Sequence, residues 1–180
     1  MLDLGYFTHR DVRIPNIDSR WAYLEQYIKE KERDCRISVL GAKLNSLLEA
    51  DLDNQGVLKT DADEKWKRLV NGYTNEDKVW EGFINAPNKR SFLAYYTYHQ
   101  WSIDNEAGNF STGQQIEQVE NSTTITNERS RILAYNKFVS WVAGYYQDGR
   151  ISLYQYLSEN KDDFPEWKGT NLCYMNVWNI

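Results

Sequence analysis

Two stretches decide the fold: KRSFLAYYTYHQWSI (residues 89–103) and NERSRILAYNKFVSWVAGYY (residues 127–146). Large apolar side chains recur in both at steps of three or four residues, which is the spacing of one face of an α-helix. The sequence therefore predicts two neighbouring helices, with these residues on their inner faces: Phe92, Tyr96, His99 and Ile103 in the first, and Ile132, Tyr135, Val139, Val142 and Tyr146 in the second.

Between these helices lies SIDNEAGNFSTGQQIEQVENSTTIT, residues 102–126, which contains few large apolar side chains. Compact domains rarely include a loop of this length unless it binds something or is disordered. We expect residues 104–126 to form an arm that leaves the bundle, as a long loop or a β-hairpin with its turn at Thr112-Gly113 or Asn121-Ser122. Its expected partner-binding residues are Gln114, Gln115, Ile116, Glu117 and Val119.

Helical spacing extends to the rest of the chain. A first helix places Trp21, Leu24, Ile28, Cys35 and Val39 on one face and ends or bends at Gly41. Leu-rich and Trp-containing segments predict further helices, with Leu44, Leu47, Leu48 and Leu52 inward in one, Trp66, Leu69 and Val70 in the next, and Leu153, Tyr154 and Leu157 in the last. The prediction is a single, mainly α domain over residues 1–180, a bundle of four or five helices with little sheet.

Composition excludes several classes of function. The net charge is −5 and the basic residues are interleaved with acidic ones, which disfavours nucleic-acid binding because that requires clustered Lys and Arg. Two cysteines, Cys35 and Cys173, are too few for a disulfide framework or a zinc site, and we expect reduced thiols in a cytosolic setting. Neither a signal peptide nor a membrane span is visible.

No catalytic signature is visible either. His9 and His99 are the only histidines, and His99 lies on an aromatic helix face, where a hydrogen-bonded core role is expected. The turn from Asp51 to Gly56 resembles the start of a calcium loop, but Ala62 stands where a bidentate glutamate is required. The sequence thus predicts no enzyme, no metal site and no cofactor; a spatial cluster of carboxylates is the alternative that a sequence leaves open.

The C-terminal tail, residues 165–180, is apolar-rich without a helical period, so we expect it to be extended. Exposed, its large side chains would form a sticky patch, so they must be buried on the protein's own bundle or on a partner, and both alternatives stand. In the second alternative the tail adds as a strand to a partner's sheet edge. The expected partner-binding residues are Leu172, Tyr174, Met175, Val177 and Trp178.

The order of these segments resembles a family of head–tail connector proteins of tailed bacteriophages, including phages of Bacteroidetes hosts and crAss-like phages. The resemblance runs from Tyr23 to Tyr156 and depends on the order and spacing of its phrases. Cys35 and Arg36 depart from it, since an apolar pair is expected there. The phrases are YLEQYIKEKERDCRISVLGAKLNSLLEADL, KWKRLVNGYT, VWEGF, RSFLAYYTYHQW, STGQQIEQVENSTT, RSRILAYNKFVSW and the ending YQYLSENKDDFPEW.

The resemblance implies a structural virion protein that is assembled in the host cytoplasm and located in the neck between head and tail. Proteins of this kind form a ring, usually of twelve subunits, that joins the portal protein to the next neck or tail ring. Packaged DNA passes through without specific binding, and no membrane is involved. The alternative is a non-viral cytoplasmic adaptor, a helical protein-interaction domain.

Overall fold

The computed structural model describes residues 1–8, 11–14, 17–75, 77–106, 108–110, 113–115, 127–144 and 149–175. A 3₁₀ helix, Leu4–Phe7, precedes six α-helices and three two-stranded antiparallel sheets in these residues. In chain order the elements are α1 (Ile17–Leu40), α2 (Ala42–Ala50), α3 (Glu64–Asn71), β1 (Tyr73–Asn75), β2 (Lys78–Trp80), β3 (Ile84–Asn85), β4 (Arg90–Ser91), α4 (Phe92–Glu106), β5 (Gly108–Phe110), β6 (Gly113–Gln115), α5 (Asn127–Ala143) and α6 (Leu153–Glu159).

The predicted mainly α fold is confirmed. The described residues contain more helices than the four or five expected, because α3 and α6 are short helices of their own. Side-chain caps allow such short helices to form. Asp63 accepts a hydrogen bond from the backbone N–H of Lys65 at 3.1 Å, and Ser152 accepts one from Gln155 at 3.3 Å.

Helix α4 lies at the centre of the bundle, between α1 and α5. Its interface with α5 is aromatic: the Phe92 ring lies 6.3 Å from that of Phe138 and 6.4 Å from that of Trp141, centroid to centroid. The predicted inward faces are mostly confirmed in the described residues, but Leu47 and Ile103 are each 42% exposed. The predicted inward residue Tyr146 lies outside the described residues. Helical spacing alone places these two residues on the apolar stripe, although each lies at its solvent edge.

Polar residues occupy part of the buried face of α1. Leu24, Ile28, Cys35 and Val39 are buried as predicted, and Glu32 fills the gap in this stripe. Arg36 of α1 and Asn45 of α2 are also buried.

The small sheets connect α3 to α4 and α4 to α5. Trp80 in β2 is buried, its Nε1–H donates to the Leu69 carbonyl at 3.0 Å, and its ring stacks on Tyr156 of α6 at 5.7 Å. Because β2 also bridges Arg150 in parallel, the β1–β2 hairpin is fixed to the segment that precedes α6.

Candidate docking surfaces

The predicted arm contains a hairpin. Strands β5 and β6 pair antiparallel, with Gln114 opposite Asn109 and Gln115 opposite Gly108. The expected β-hairpin is thereby found between α4 and α5. The predicted turn residues Thr112, Asn121 and Ser122 lie outside the described residues. Three predicted partner-binding residues lie outside the described residues: Ile116, Glu117 and Val119.

The helices that bear the arm are held firmly. His99 of α4 lies 4.9 Å from the Tyr135 ring of α5, and its Nδ1–H donates to the Arg131 carbonyl at 3.2 Å. Near the end of α4, the Tyr27 hydroxyl of α1 donates to Asp104 at 2.7 Å. Burial, followed by this bond to the carboxylate, raises the pKa of Tyr27, so the hydroxyl stays a donor. The end of α4 that precedes the hairpin is therefore fixed to α1.

The first part of the tail lies on the protein's own bundle. Phe164 is buried, with its ring 5.6 Å from that of Trp66. The Trp167 Nε1–H then donates to the Val39 carbonyl of α1 at 3.2 Å, and Thr170 shares a hydrogen bond with the Tyr154 hydroxyl. Residues 167–175 form neither a helix nor a strand.

Asn136 of α5 holds the tail farther along. Its amide oxygen accepts from the Met175 backbone N–H at 2.8 Å, and its amide nitrogen donates to the Met175 carbonyl at 2.9 Å. The side chain thus pairs with both backbone groups of one residue, as a neighbouring strand does. We call this pair of bonds the Asn136 clamp.

The clamp bears on whether the tail is buried on its own bundle or on a partner, the two alternatives that the sequence leaves open. Leu172 is half-buried against the core, which favours the own-bundle alternative for the residues up to the clamp. Tyr174 and Met175, however, remain 57% and 39% exposed. These two residues and Leu133 of α5, one helical turn before Asn136 and 45% exposed, form what we call the tail patch. Two other predicted docking residues, Val177 and Trp178, lie outside the described residues.

Two side chains that the sequence offers for chemistry, those of Cys35 and Asp53, make structural contacts. Burial raises the pKa of the Cys35 thiol well above its usual value, which disfavours the nucleophilic thiolate. In the turn that resembles a calcium loop, Asp53 Oδ1 accepts from the backbone N–H groups of Gln55 and Val57 at 2.8 and 2.9 Å. Within the described part of the chain, no three His, Cys, Asp or Glu residues converge on a metal position.

Helix length and polarity address the membrane question. Among the described helices, none combines the length and the apolar character that a membrane span requires.

Comparison with known proteins returns no match to any protein-family model, curated sequence or solved structure. A functional assignment therefore depends on the surfaces of this chain.

Sequence reasoning missed the β1–β2 hairpin. Its strands have only three residues each, too few for an alternating pattern to stand out. The available signal was local: Tyr73-Thr74 and Val79-Trp80 favour strands, and polar residues between them favour a turn.

Proposed function

We propose that this protein is a non-enzymatic virion component, a connector subunit that forms a ring between the portal and the next neck or tail component. The observation that carries the proposal is the hairpin arm between α4 and α5. Because α4 packs between α1 and α5, the arm has a rigid base from which it can contact a neighbouring subunit or the portal. The resemblance in the order of the sequence segments supplies the identity of these partners.

Two further features support the proposal. The tail patch presents exposed apolar side chains of the kind that protein interfaces bury. The net charge of −5 suits the wall of a DNA channel, because an acidic lining repels the packaged strand and does not retain it.

The test is electron microscopy of the purified protein mixed with its portal protein. We expect rings of twelve subunits on the portal. A variant in which a short Gly/Ser linker replaces residues 108–123 should keep its circular dichroism spectrum and fail to join the portal. The matched control is Val57→Ala, because Val57 is an exposed apolar residue outside the arm.

Two outcomes contradict the proposal. Normal assembly of the arm-deleted variant shows that the arm does not dock. If the protein does not bind the portal and remains a monomer or small oligomer, it fits the alternative, a non-viral cytoplasmic adaptor.

A further inference from the structure

One edge of the β1–β2 hairpin has no hydrogen-bond partner among the described residues. Thr74 lies opposite Val79, and Val79 directs its backbone groups outward: its N–H donates to Gly149 at 2.7 Å and its carbonyl accepts from Ile151 at 3.0 Å. Thr74 and Val79 therefore form a non-hydrogen-bonded pair of the antiparallel ladder, in which the N–H and C=O groups of the two residues point away from each other. The Thr74 groups therefore point to the other side of the sheet, where no hydrogen bond within the described residues satisfies them. We call this side the Thr74 edge.

A groove runs beside the Thr74 edge. Its volume is about 570 Å³, and its walls include Trp80, Ile84 and Pro87 with the polar Asn85. Peptides that add as an extra strand need this combination, an unpaired backbone edge for affinity and adjacent pockets for alternate side chains.

We infer that the Thr74 edge receives residues 174–178 of a second copy of this chain as an added strand. This inference rests on the proposed function, in which copies associate into a ring. The segment YMNVW contains Tyr, Val and Trp, residues that favour strands. The Asn136 clamp uses both backbone groups of Met175, so in an extended chain those of Tyr174 point away from α5 and are free to pair.

The course of the tail favours a second copy as the donor. The tail starts beside the hairpin, since Phe164 contacts Tyr156, which stacks on Trp80. It then proceeds past Tyr154 to the clamp on α5. Donor and acceptor are therefore different surfaces of the molecule. Such head-to-tail contacts form a closed ring when the rotation between copies allows it.

Cysteine cross-linking between copies tests the contact directly. All variants carry Cys173→Ser, because Cys173 is an exposed native thiol. One copy carries Thr74→Cys, and the other carries Tyr174→Cys, Asn176→Cys or Trp178→Cys. We expect a disulfide between the two copies for at least one of the three, since opposite Cα atoms of paired strands lie about 5 Å apart, within disulfide reach. Leu47→Cys, exposed on α2, replaces Thr74→Cys in the control mixture and should not cross-link.

Proline substitution tests the backbone pairing. Thr74→Pro removes an N–H that the β1–β2 ladder does not use, so the hairpin should remain intact. By sedimentation, its self-association should be at least about tenfold weaker, the effect of losing one important contact at an interface. Thr74→Val, which keeps the N–H, should associate as the wild type does.

The possible outcomes separate this inference from the proposed function. If normal rings form on the portal but no cross-link appears, the strand addition is overturned and the connector role stays intact. The same conclusion follows if Thr74→Pro assembles as the wild type does. A cross-link without portal binding supports the strand addition and overturns the connector role. A cross-link within a single monomeric chain that carries both cysteines shows that the tail occupies its own edge, and it overturns the role of the second copy.

Discussion

Two interfaces within the bundle are built from opposite chemistry. Between α4 and α5 the contact is aromatic, with Phe92, Phe138 and Trp141 buried together. Between α1 and α2 it is charged, with Glu32 and Arg36 almost as fully buried. Each apolar group that the first interface removes from water stabilises the folded state. In the second interface, the cost of removing charged groups from water is offset only while all their partners are present.

The charged corner is closely connected. Glu32 accepts from the Leu2 backbone N–H at 2.7 Å and lies 3.8 Å from Arg36. Arg36 donates from Nε to the Asn45 amide oxygen at 3.2 Å and lies 3.5 Å from Glu49. Such a network fixes one relative placement of α1 and α2, because each polar group needs its specific partner. The aromatic interface lacks this requirement.

The largest expected effect is in the aromatic interface. Phe92→Ala should lower the free energy of unfolding by about 4 kcal/mol, because it removes a fully buried ring and leaves a cavity among three aromatic side chains. Urea unfolding measures this. Leu133→Ala, a truncation of an exposed residue in α5, is the matched control and should change stability by less than about 0.5 kcal/mol. Equal losses for the two variants would contradict the assigned packing.

The charged corner should respond differently to single and double substitution. Glu32→Leu or Arg36→Met alone should cost about 3 kcal/mol, because each removes a buried charged partner that lies 3.8 Å from the other residue. The double variant should lose less stability than the sum of the two single variants, since it buries neither charge, although the Leu2 N–H and the Asn45 amide oxygen lose their partners. The control is the exposed Lys29–Glu25 pair, 2.9 Å apart, whose coupling should be only about 0.3 kcal/mol. Additive losses at positions 32 and 36 would refute the dependence of each charge on the other.

The packing of α4 against α5 could be predicted from the sequence, although Phe138 and Trp141 were not on the predicted inner face; the charged corner could not be predicted. Phe92, Val139 and Val142 follow helical spacing, and the core role of His99 follows from its aromatic neighbours along the helix. In contrast, Glu32 and Arg36 lie within KEKERDCR, which is typical of a solvated helix face. Only the approach of α2 and of the N-terminal segment buries them, and no local pattern reports such contacts.

The docking surfaces show the same division. The arm was predictable because a long polar run between two helical patterns is a local feature of the sequence. The Asn136 clamp was not, because it joins residues 39 positions apart, and an Asn on a helix has no feature that assigns it a backbone partner. The Thr74 edge depends on strand register and on the pairing of Val79 with the segment before α6, and both are tertiary features.

Acid should weaken the two interfaces in different pH ranges. Burial lowers the pKa of His99, in the aromatic interface, below its ordinary value of 6.5. The unfolded chain then binds the proton first, so stability is complete above about pH 6.5 and declines as the pH falls below it. At Glu49, burial opposes ionisation, but hydrogen bonds with Asn45 and Arg33 outweigh it and hold the carboxyl pKa below 4.5. Its contribution is therefore present above this pH and is lost as the pH falls through the lowered pKa.

Two variants separate these contributions in urea unfolding measured as a function of pH. His99→Gln should remove the decline that begins near pH 6.5, and Glu49→Gln should reduce only the decline at lower pH. The assignment of His99 fails if its substitution leaves the upper part of the profile unchanged.

The smallest expected effect on global stability concerns the Asn136 clamp. Asn136→Ala removes two hydrogen bonds between exposed or half-buried groups, so the free energy of unfolding should fall by no more than about 1 kcal/mol. Its local effect should be larger, because the clamp is the last contact that holds the described tail. Hydrogen exchange of the Met175 amide should become markedly faster in the variant, while the amide of Leu69, in α3, should exchange as in the wild type.

Asn136→Asp is the informative comparison, since it retains the acceptor for the Met175 N–H and loses the donor to the carbonyl. The Met175 amide should exchange at an intermediate rate in this variant. If the Met175 amide exchanges equally fast in all three proteins, the clamp does not hold the tail in solution, and the exposure of Tyr174 has another cause.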